Sequence, residues 1–527
     1  MKKRVSFQPR FWISAIIVLV ELLCVIAVFV LLIIYPFWNN FMIIPLIILL
    51  VLDTVLALFI ANSKAEAAFK ISWLVIVMVL PFAGAVIYLL FANKITTKKV
   101  RQQRINVIDE LMIKCRPDST MELAKIKSIN EDAGTIANYL YLNANAATYQ
   151  NTDVEYFKIG DLSKEPMIRE LKKAKKFIFL EYFIMQSGDF FDSLFDVLKE
   201  KAKEGVDVRI IYDDFGCSSK MSSFFYKEVR DAGIKCHAFN LIRPFIDLRQ
   251  NNRDHRKIMV IDGVVGFTGG INLADEYINI GSKFGLWKDN CVMLKGEAVN
   301  GLTNLFLSIW GLVDRDLKET KTLKNIGNYS YYNNKELDTR KIKESKGFVI
   351  PFGEEPFDGE ETARNVFLQM ISRANKYVYI STPYLILDEE LICALQTAAK
   401  GGVDVRIITP GTPDKKIVYQ CTRSYYGVLL IDNVKIYEYK PGFNHEKMIV
   451  VDGKMAETGT INFDFRSLYL HYENGIFFFG GDEVKVMEKD LEDMLKESRE
   501  VSTARYLKAS RLRRLWWSIL RIVATMF

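Results

Sequence analysis

At 527 residues the chain is too long for one domain, and about three is the expectation. Half its residues are hydrophobic and the mean hydropathy is +0.08, an excess gathered at the N-terminus; beside it, a net charge of +7 points to an anionic membrane surface before nucleic acid. Seven scattered cysteines with no CxxC pair argue against a disulfide framework or a zinc site and fit a reducing compartment.

Three apolar stretches come first, at about residues 11–37, 41–61 and 71–92, each reaching the roughly 20 residues that span the hydrocarbon layer. The first is too long for a secretory signal and no small-residue cleavage site follows it, so the stretches read as anchors. Glu21 and Asp53 lie within the first two, either as a functional pair or near the interface. Lys2, Lys3, Arg4 and Arg10 precede the first stretch, and Lys94, Lys98, Lys99, Arg101 and Arg104 follow the third. The positive-inside tendency wants both clusters in the cytoplasm, whereas three crossings would separate them. Pro81 and Gly84 allow a re-entrant or shallow third stretch; otherwise the first does not fully cross. The expectation is a multi-pass membrane module over residues 1–100, of two or three hydrophobic helices, with the C-terminal bulk in the cytoplasm.

The remainder repeats itself. The heptapeptide GVDVRII at 205–211 recurs letter for letter at 402–408. Each copy follows a β-rich run (177–183, 377–384) and a helical pattern (189–203, 388–400). Strand, helix and strand make a βαβ unit and imply a helix-covered sheet with parallel strands. Between the halves, residues 314–346 are polar and aperiodic, a solvated connector.

Of four histidines, two head the same frame. His255 is followed by Lys257, Asp262, the glycines 269 and 270, and Asn272; His445 is followed by Lys447, Asp452, Gly459, Thr460 and Asn462. Two matches in register, one per repeat, are a specific signal. The apolar run between Lys and Asp reads as a buried strand closed by an Asp-Gly turn. Residues i and i+2 of a strand share a face, so each His and its Lys point together. Imidazole can attack phosphorus or carry a proton near neutral pH, and an ammonium beside it offsets growing phosphate charge. Glycine lets backbone N–H groups approach a phosphate, and Asn adds a side-chain donor. Asp262 and Asp452 open the turns, where capping and strand anchoring fit them better than proton transfer. His237 and His471, outside the frame, read as structural.

The double frame resembles the two HKD motifs of the phospholipase D superfamily over about residues 130–500. The resemblance implies an α/β fold of two tandem phospholipase D-like domains (101–340 and 341–500), with helix-covered mixed β-sheets about a pseudo-twofold axis, behind an N-terminal transmembrane helical module. Trp73, Pro81, Gly84 and Tyr88, the context 251–257 and the run 464–468 are similar to bacterial cardiolipin synthases. A further apolar stretch exceeds the two-helix arrangement common in that family, and His471 stands where it usually has Asn. The resemblance implies a catalytic set of His255, Lys257, Asp262, His445, Lys447 and Asp452. It places Asn272, Asn462, Gly270 and Thr460 on the substrate, and offers Asp289 and Glu473 as the acids that orient the histidines.

By the same resemblance, one histidine takes the phosphatidyl group, His255 preferred over His445, and the other protonates the departing alcohol and then activates the incoming hydroxyl. No metal or organic cofactor is implied, because the lysines supply the charge. A membrane-held, dry site favours lipid alcohols over water, so the expected substrates are two phosphatidylglycerols giving cardiolipin and glycerol. A hydrolase is the nearest rival; a nuclease leaves the apolar N-terminus unexplained, and an inactive scaffold leaves both frames unexplained. Residues 501–527, basic with paired Trp516 and Trp517, suit either an interfacial helix on anionic lipid or a helix docked on the protein. Oligomeric state has no signature here.

Overall fold

The computed structural model describes residues 30, 43–63, 65–80, 83–91, 108, 112–113, 115–218, 220–221, 225–241, 251–313 and 347–526. The first apolar stretch apart from Val30, Glu21, Pro81, the basic residues flanking the apolar region and the 314–346 connector lie outside these.

At the N-terminal end, the second apolar stretch forms α1 (Ile43–Ala61). The third, expected as one segment, is two helices, α2 (Ala67–Val79) and α3 (Ala83–Phe91). At 13 and 9 residues they extend about 20 Å and 14 Å, short of the hydrocarbon thickness. Trp73 and Tyr88 meet edge to face at 5.5 Å, and a Cβ on Gly84 would fall 2.4 Å from the Ile76 carbonyl, so the glycine permits the close α2–α3 approach. Among the described residues no helix is long and apolar enough to cross a membrane, so the multi-pass expectation is not carried by them.

The duplicated sequence folds into two mixed sheets. The first half supplies β1 (Thr152–Phe157), β2 (Phe177–Tyr182), β3 (Asp207–Asp213), β4 (Lys235–Phe239), β5 (Lys257–Ile261), β6 (Val265–Gly269), β7 (Leu286–Lys288) and β8 (Cys291–Gly296). All but β7 join one sheet, ordered β1-β8-β6-β5-β2-β3-β4. The second half supplies β9 (Phe348–Glu354), β10 (Tyr377–Ser381), β11 (Asp404–Pro410), β12 (Lys435–Tyr439), β13 (Gly442–Asn444), β14 (Met448–Val451), β15 (Met455–Gly459), β16 (Glu473–Phe479) and β17 (Ser498–Glu500). All but β13 join the other, ordered β17-β12-β11-β10-β14-β15-β16-β9.

The heptapeptide supplies β3 and β11, each parallel to the strand before it, with Phe177 opposite Asp207 and Tyr377 opposite Asp404. The helices between are α4 (Asp189–Lys203) and α6 (Glu389–Lys400); the Asp388 carboxylate caps α6 by accepting from the Leu391 N–H at 2.8 Å. Helix α4 buries Phe190, Phe191, Leu194, Phe195 and Leu198, one apolar stripe at helical spacing, on its sheet. Each half has its own core, and a third apolar cluster is shared. It packs Phe179, Val260 and Trp310 of α5 (Val299–Val313) with Val450, Ile476 and Phe478 of the other sheet. His237 lies edge-on to Trp310 at 4.8 Å. The six described cysteines are free thiols, five of them buried.

The halves are also joined through backbone. β7 pairs parallel with β13, Leu286 to Lys288 opposite Gly442 to Asn444. This register places the two histidine frames.

Candidate active site

The strands β5 and β14 are buried along their length, as their apolar runs require. Beyond them Asp262 and Asp452 take the left-handed conformation, φ +54° and +53°, each followed by a positive-φ glycine. The Asp262 carboxylate accepts from the backbone N–H groups of Lys175, Lys176 and Phe177 at 2.7–2.9 Å, and Asp452 from those of Asn375, Lys376 and Tyr377 at 2.8–2.9 Å. Both therefore pin a β-turn to the start of the neighbouring strand. Five residues of β5, about 16 Å, separate Asp262 from the histidine end, so the aspartates leave the catalytic set.

The two acids are crossed between the halves. The His255 N–H donates to the Tyr472 carbonyl and the His445 N–H to the Lys288 carbonyl, both at 2.8 Å. The residue after each of those carbonyls is the acid. His255 Nδ1 thus meets Glu473 at 2.8 Å, and His445 Nδ1 meets Asp289 at 2.6 Å. Each histidine is oriented by a carboxylate from the opposite repeat, 218 and 156 residues away in sequence. Neither Nε2 has a hydrogen-bond partner among the described residues.

The residues expected on the substrate serve this second layer. A Cβ on Gly270 would stand 1.9 Å from Asp289 Oδ1, so glycine makes room for the carboxylate. At the matching position Thr460 donates its hydroxyl to Glu473 Oε2 at 2.5 Å, and Ser467 donates to Oε1 at 2.7 Å. Asn272 accepts from the Ile184 N–H at 3.0 Å and donates to the Tyr277 hydroxyl at 2.8 Å. Asn462 donates to Ser467 Oγ at 3.1 Å, and its buried Oδ1 accepts nothing. Each asparagine amide donates one of its two hydrogens within the protein.

The two lysines turn back onto their histidines. Lys257 Nζ donates to the His255 carbonyl at 2.6 Å; Lys447 Nζ donates to the His445 carbonyl and lies 3.0 Å from His445 Nδ1. Burial pulls the Lys257 ammonium down to about 7, with the Lys447 charge adding to the shift, and burial lowers Lys447 too. Burial likewise lowers both imidazoles, His255 to about 3 against the opposing pull of Glu473, and His445 further under the charges of Lys447 and Lys257. The carboxylates diverge. Burial would raise Glu473, but His255 and His471 overcome it and hold it well below the usual carboxylate range; burial lifts Asp289 to about 7 despite Lys447 and the Asn290 N–H. The mutual influence of Lys257, Lys447, Asp289 and Glu473 marks one shared site.

His471, which by composition reads as structural but by its place in the family resemblance could lie close to the site, is found beside it. Its ring lies 5.8 Å from that of His255 and its Nδ1 3.7 Å from Glu473 Oε1. Ligand atoms of His255, His471 and Glu473 lie within 4.8 Å of one another, a geometry that could hold a metal ion. The cations around it, Lys257 acting on His255 and Arg253 and Arg466 on His471, favour an anion instead. The spacing of His471 two residues before Glu473, matching Trp287 before Asp289, was the available signal.

Comparison with known proteins agrees with this architecture. A family model described as "Cardiolipin synthase, PLD-like domain" matches residues 167–310 and 367–495, and one described as "Phospholipase_D-nuclease N-terminal" matches 46–93. The chain is 37% identical over 469 residues to an uncharacterized protein of Streptococcus mutans, covering 89% of this chain and 98% of that one. It is 33% identical over 455 residues to cardiolipin synthase 2 of Bacillus anthracis, covering 86% of both chains. It is 34% identical over 447 residues to cardiolipin synthase of a Geobacillus species, covering 85% of this chain and 86% of that one. The crystal structure of phosphatidylserine synthase from Haemophilus influenzae shares the fold, with TM-score 0.56 and 15% identity over 74% of this chain and 99% of that one. With both repeats matched and most of its length aligned to named relatives, the chain belongs to the cardiolipin synthase family of phospholipase D-like proteins.

Proposed function

We propose that this protein is a phosphatidyltransferase that makes cardiolipin and glycerol from two phosphatidylglycerols. The observation that carries the proposal is the crossed pairing of His255 with Glu473 and His445 with Asp289 about one site. Relatives named cardiolipin synthase supply the substrate class.

His255 is the nucleophile in this reading. Its Nδ1–H donates to a firmly ionised Glu473, which leaves a lone pair on Nε2 and stabilises positive charge on the ring. His445 is the acid. Its Nδ1 faces both the Lys447 ammonium and Asp289, whose carboxyl holds a proton up to about pH 7, so Nε2 bears the hydrogen to be given away. His255 Nε2 attacks phosphorus, the P–O bond to the glycerol headgroup breaks, and the leaving oxygen takes the Nε2 proton of His445 while Asp289 passes its carboxyl proton to Nδ1. A second phosphatidylglycerol then gives its hydroxyl proton to His445 Nε2 as its oxygen attacks, the Nδ1 proton returns to Asp289, and the P–N bond breaks. Lys257 and Lys447 offset the charge on the phosphate oxygens throughout.

We further place the enzyme on an anionic bilayer, with the catalytic halves on its cytoplasmic side. The C-terminal helix α9 supports this; it is numbered after α7 (Lys416–Leu430) and α8 (Phe465–Tyr469) and spans Arg511–Ile522. It buries Trp517 and Leu520 against the protein, and Thr525 just beyond it donates to Ser72 of α2 at 2.9 Å. Its other face exposes Leu512, Leu515, Trp516 and Ile519 among Arg511, Arg513 and Arg514. The buried face is docked on the protein, and the exposed apolar and basic face supports the lipid reading.

The test is product analysis with full-length protein and phosphatidylglycerol vesicles. Cardiolipin with equimolar glycerol, and a phosphohistidine trapped on His255, are expected; phosphatidate as the sole lipid product would refute the transferase reading.

A further inference from the structure

In the reaction proposed above two phosphodiesters meet at one site: the one under attack and the one that the acceptor lipid already carries. Lys257 and Lys447 stand at the histidines and serve the first. The second adds a negative charge nearby and calls for a cation of its own.

Such a cation stands where the parallel strands of the second sheet end. β10, β11 and β12 run parallel, and their carboxyl ends lead on to Tyr384, Lys415 and His445 in turn. In open α/β sheets the crevice outside those ends is where ligands bind. The three segments are tied to one another and to the second frame. The Gly411 N–H donates to the Tyr439 carbonyl at 2.8 Å, and the Thr382 hydroxyl accepts from the N–H of Phe463, the residue after Asn462, at 3.3 Å. Lys415 Nζ lies 5.4 Å from the centre of the Tyr384 ring. Its charge reaches the site: after burial, Lys447 and Lys257, it helps to hold down the His445 imidazole.

The acids around this lysine are engaged elsewhere. Asp414 accepts from the Tyr384 hydroxyl at 2.7 Å, and Asp464 caps α8 by accepting from the Ser467 N–H at 2.8 Å. Burial raises Asp464 to about 6, against that N–H and the charges of Arg466 and Lys415. Lys415 is exposed, and its ammonium forms no hydrogen bond or ion pair with a described residue. The matching strand of the first half, β3, runs instead into buried Asp213 and Asp214. The cation therefore belongs to the side of His445, the group that receives the acceptor's hydroxyl proton.

We propose that Lys415, seated on Tyr384, binds the phosphodiester that the acceptor phosphatidylglycerol already carries, and so selects an alcohol bearing its own phosphate over glycerol or water. The assignment rests on the transferase reading and deepens it by naming what the acceptor must bring. In the reverse direction the same ammonium meets the second phosphate of cardiolipin.

The test lets two acceptors compete for one covalent intermediate. Full-length protein on phosphatidylglycerol vesicles is given labelled glycerol at a fixed concentration, and the ratio of cardiolipin to labelled phosphatidylglycerol is measured. Both products come from the same phosphohistidine, so a change in its formation, or in the folded fraction, cancels in the ratio. Lys415→Gln is expected to lower the ratio about 10-fold, and Lys415→Arg to keep most of it. Lys416→Gln removes the neighbouring exposed charge and should leave the ratio at the wild-type value. A wild-type ratio in Lys415→Gln, or an equal fall in Lys416→Gln, would overturn the acceptor site. Labelled phosphatidylglycerol without cardiolipin in the wild type would defeat the transferase reading, and the acceptor site with it.

Discussion

The two halves carry one frame and surround it differently. His255 stands beside Phe183 and His471, and its acid, Glu473, receives hydrogen bonds from three side chains. His445 is boxed by the rings of Tyr277, Trp287 and Phe443, and among the described residues it is the one side chain bonded to its acid, Asp289. The difference continues outward. Asp254 precedes His255 and lies close to a buried Glu181, whereas Asn444 precedes His445 and bonds Ser381 at 2.9 Å. Duplication kept the backbone geometry, and substitution around it separated a permanently ionised acid from one poised near neutrality. In the proposed reaction one template thus holds two chemical roles.

The sharpest way to break this comparison is to remove each histidine. His255→Ala should abolish both covalent intermediate and turnover. His445→Ala should lower turnover about 10²–10⁴-fold yet still accumulate phosphohistidine from a diester with a good leaving group. Intermediate in both variants, detected by mass spectrometry, would show the halves to be interchangeable. Next in size are the acids: Glu473→Gln should reduce kcat about 10³-fold and Asp289→Asn about 10²-fold, since only the first removes a firmly ionised partner. Equal losses would erase the asymmetry.

A pH series separates the half-reactions. Asp289 is raised to about 7 and Lys257 lowered to about 7, both chiefly by burial. Glycerol release needs the proton at the Asp289–His445 pair and the charge on Lys257, so it should be fastest below about pH 7 and fall above it. Transfer to the acceptor needs that pair deprotonated while Lys257 is still charged, so it should rise towards pH 7 and fall only above it, leaving cardiolipin formation with a maximum near neutrality. Stopped-time sampling of both products checks this, and parallel profiles for the two steps would contradict it. The last test concerns the stability of the seam between halves. Buried Lys288 bonds Glu446 at 2.9 Å and Asp490 at 2.7 Å, so Lys288→Met should cost about 3–5 kcal/mol in denaturant unfolding by stranding both carboxylates.

Much of this was legible in the sequence for a physical reason: the short apolar runs of β5 and β14, the Asp-Gly turns and the repeated heptapeptide are local patterns. They give the strands, the βαβ units and the face shared by His and Lys. The crossing of the acids was not legible, because it depends on the β7–β13 register, a contact between segments more than 150 residues apart. Gly270 and Thr460 look like phosphate-loop residues until the carboxylates arrive from outside the frame. The third apolar stretch reads as one helix by composition alone, and its division at Leu80 follows from the α2–α3 packing around Gly84.

The crossed backbone pairs leave neither half complete. A solitary repeat of this kind would own an imidazole whose anchoring acid belonged to somebody else, so one copy by itself would need a twin to complete it. Severed halves expressed separately should each be inert and regain turnover only when they reassociate.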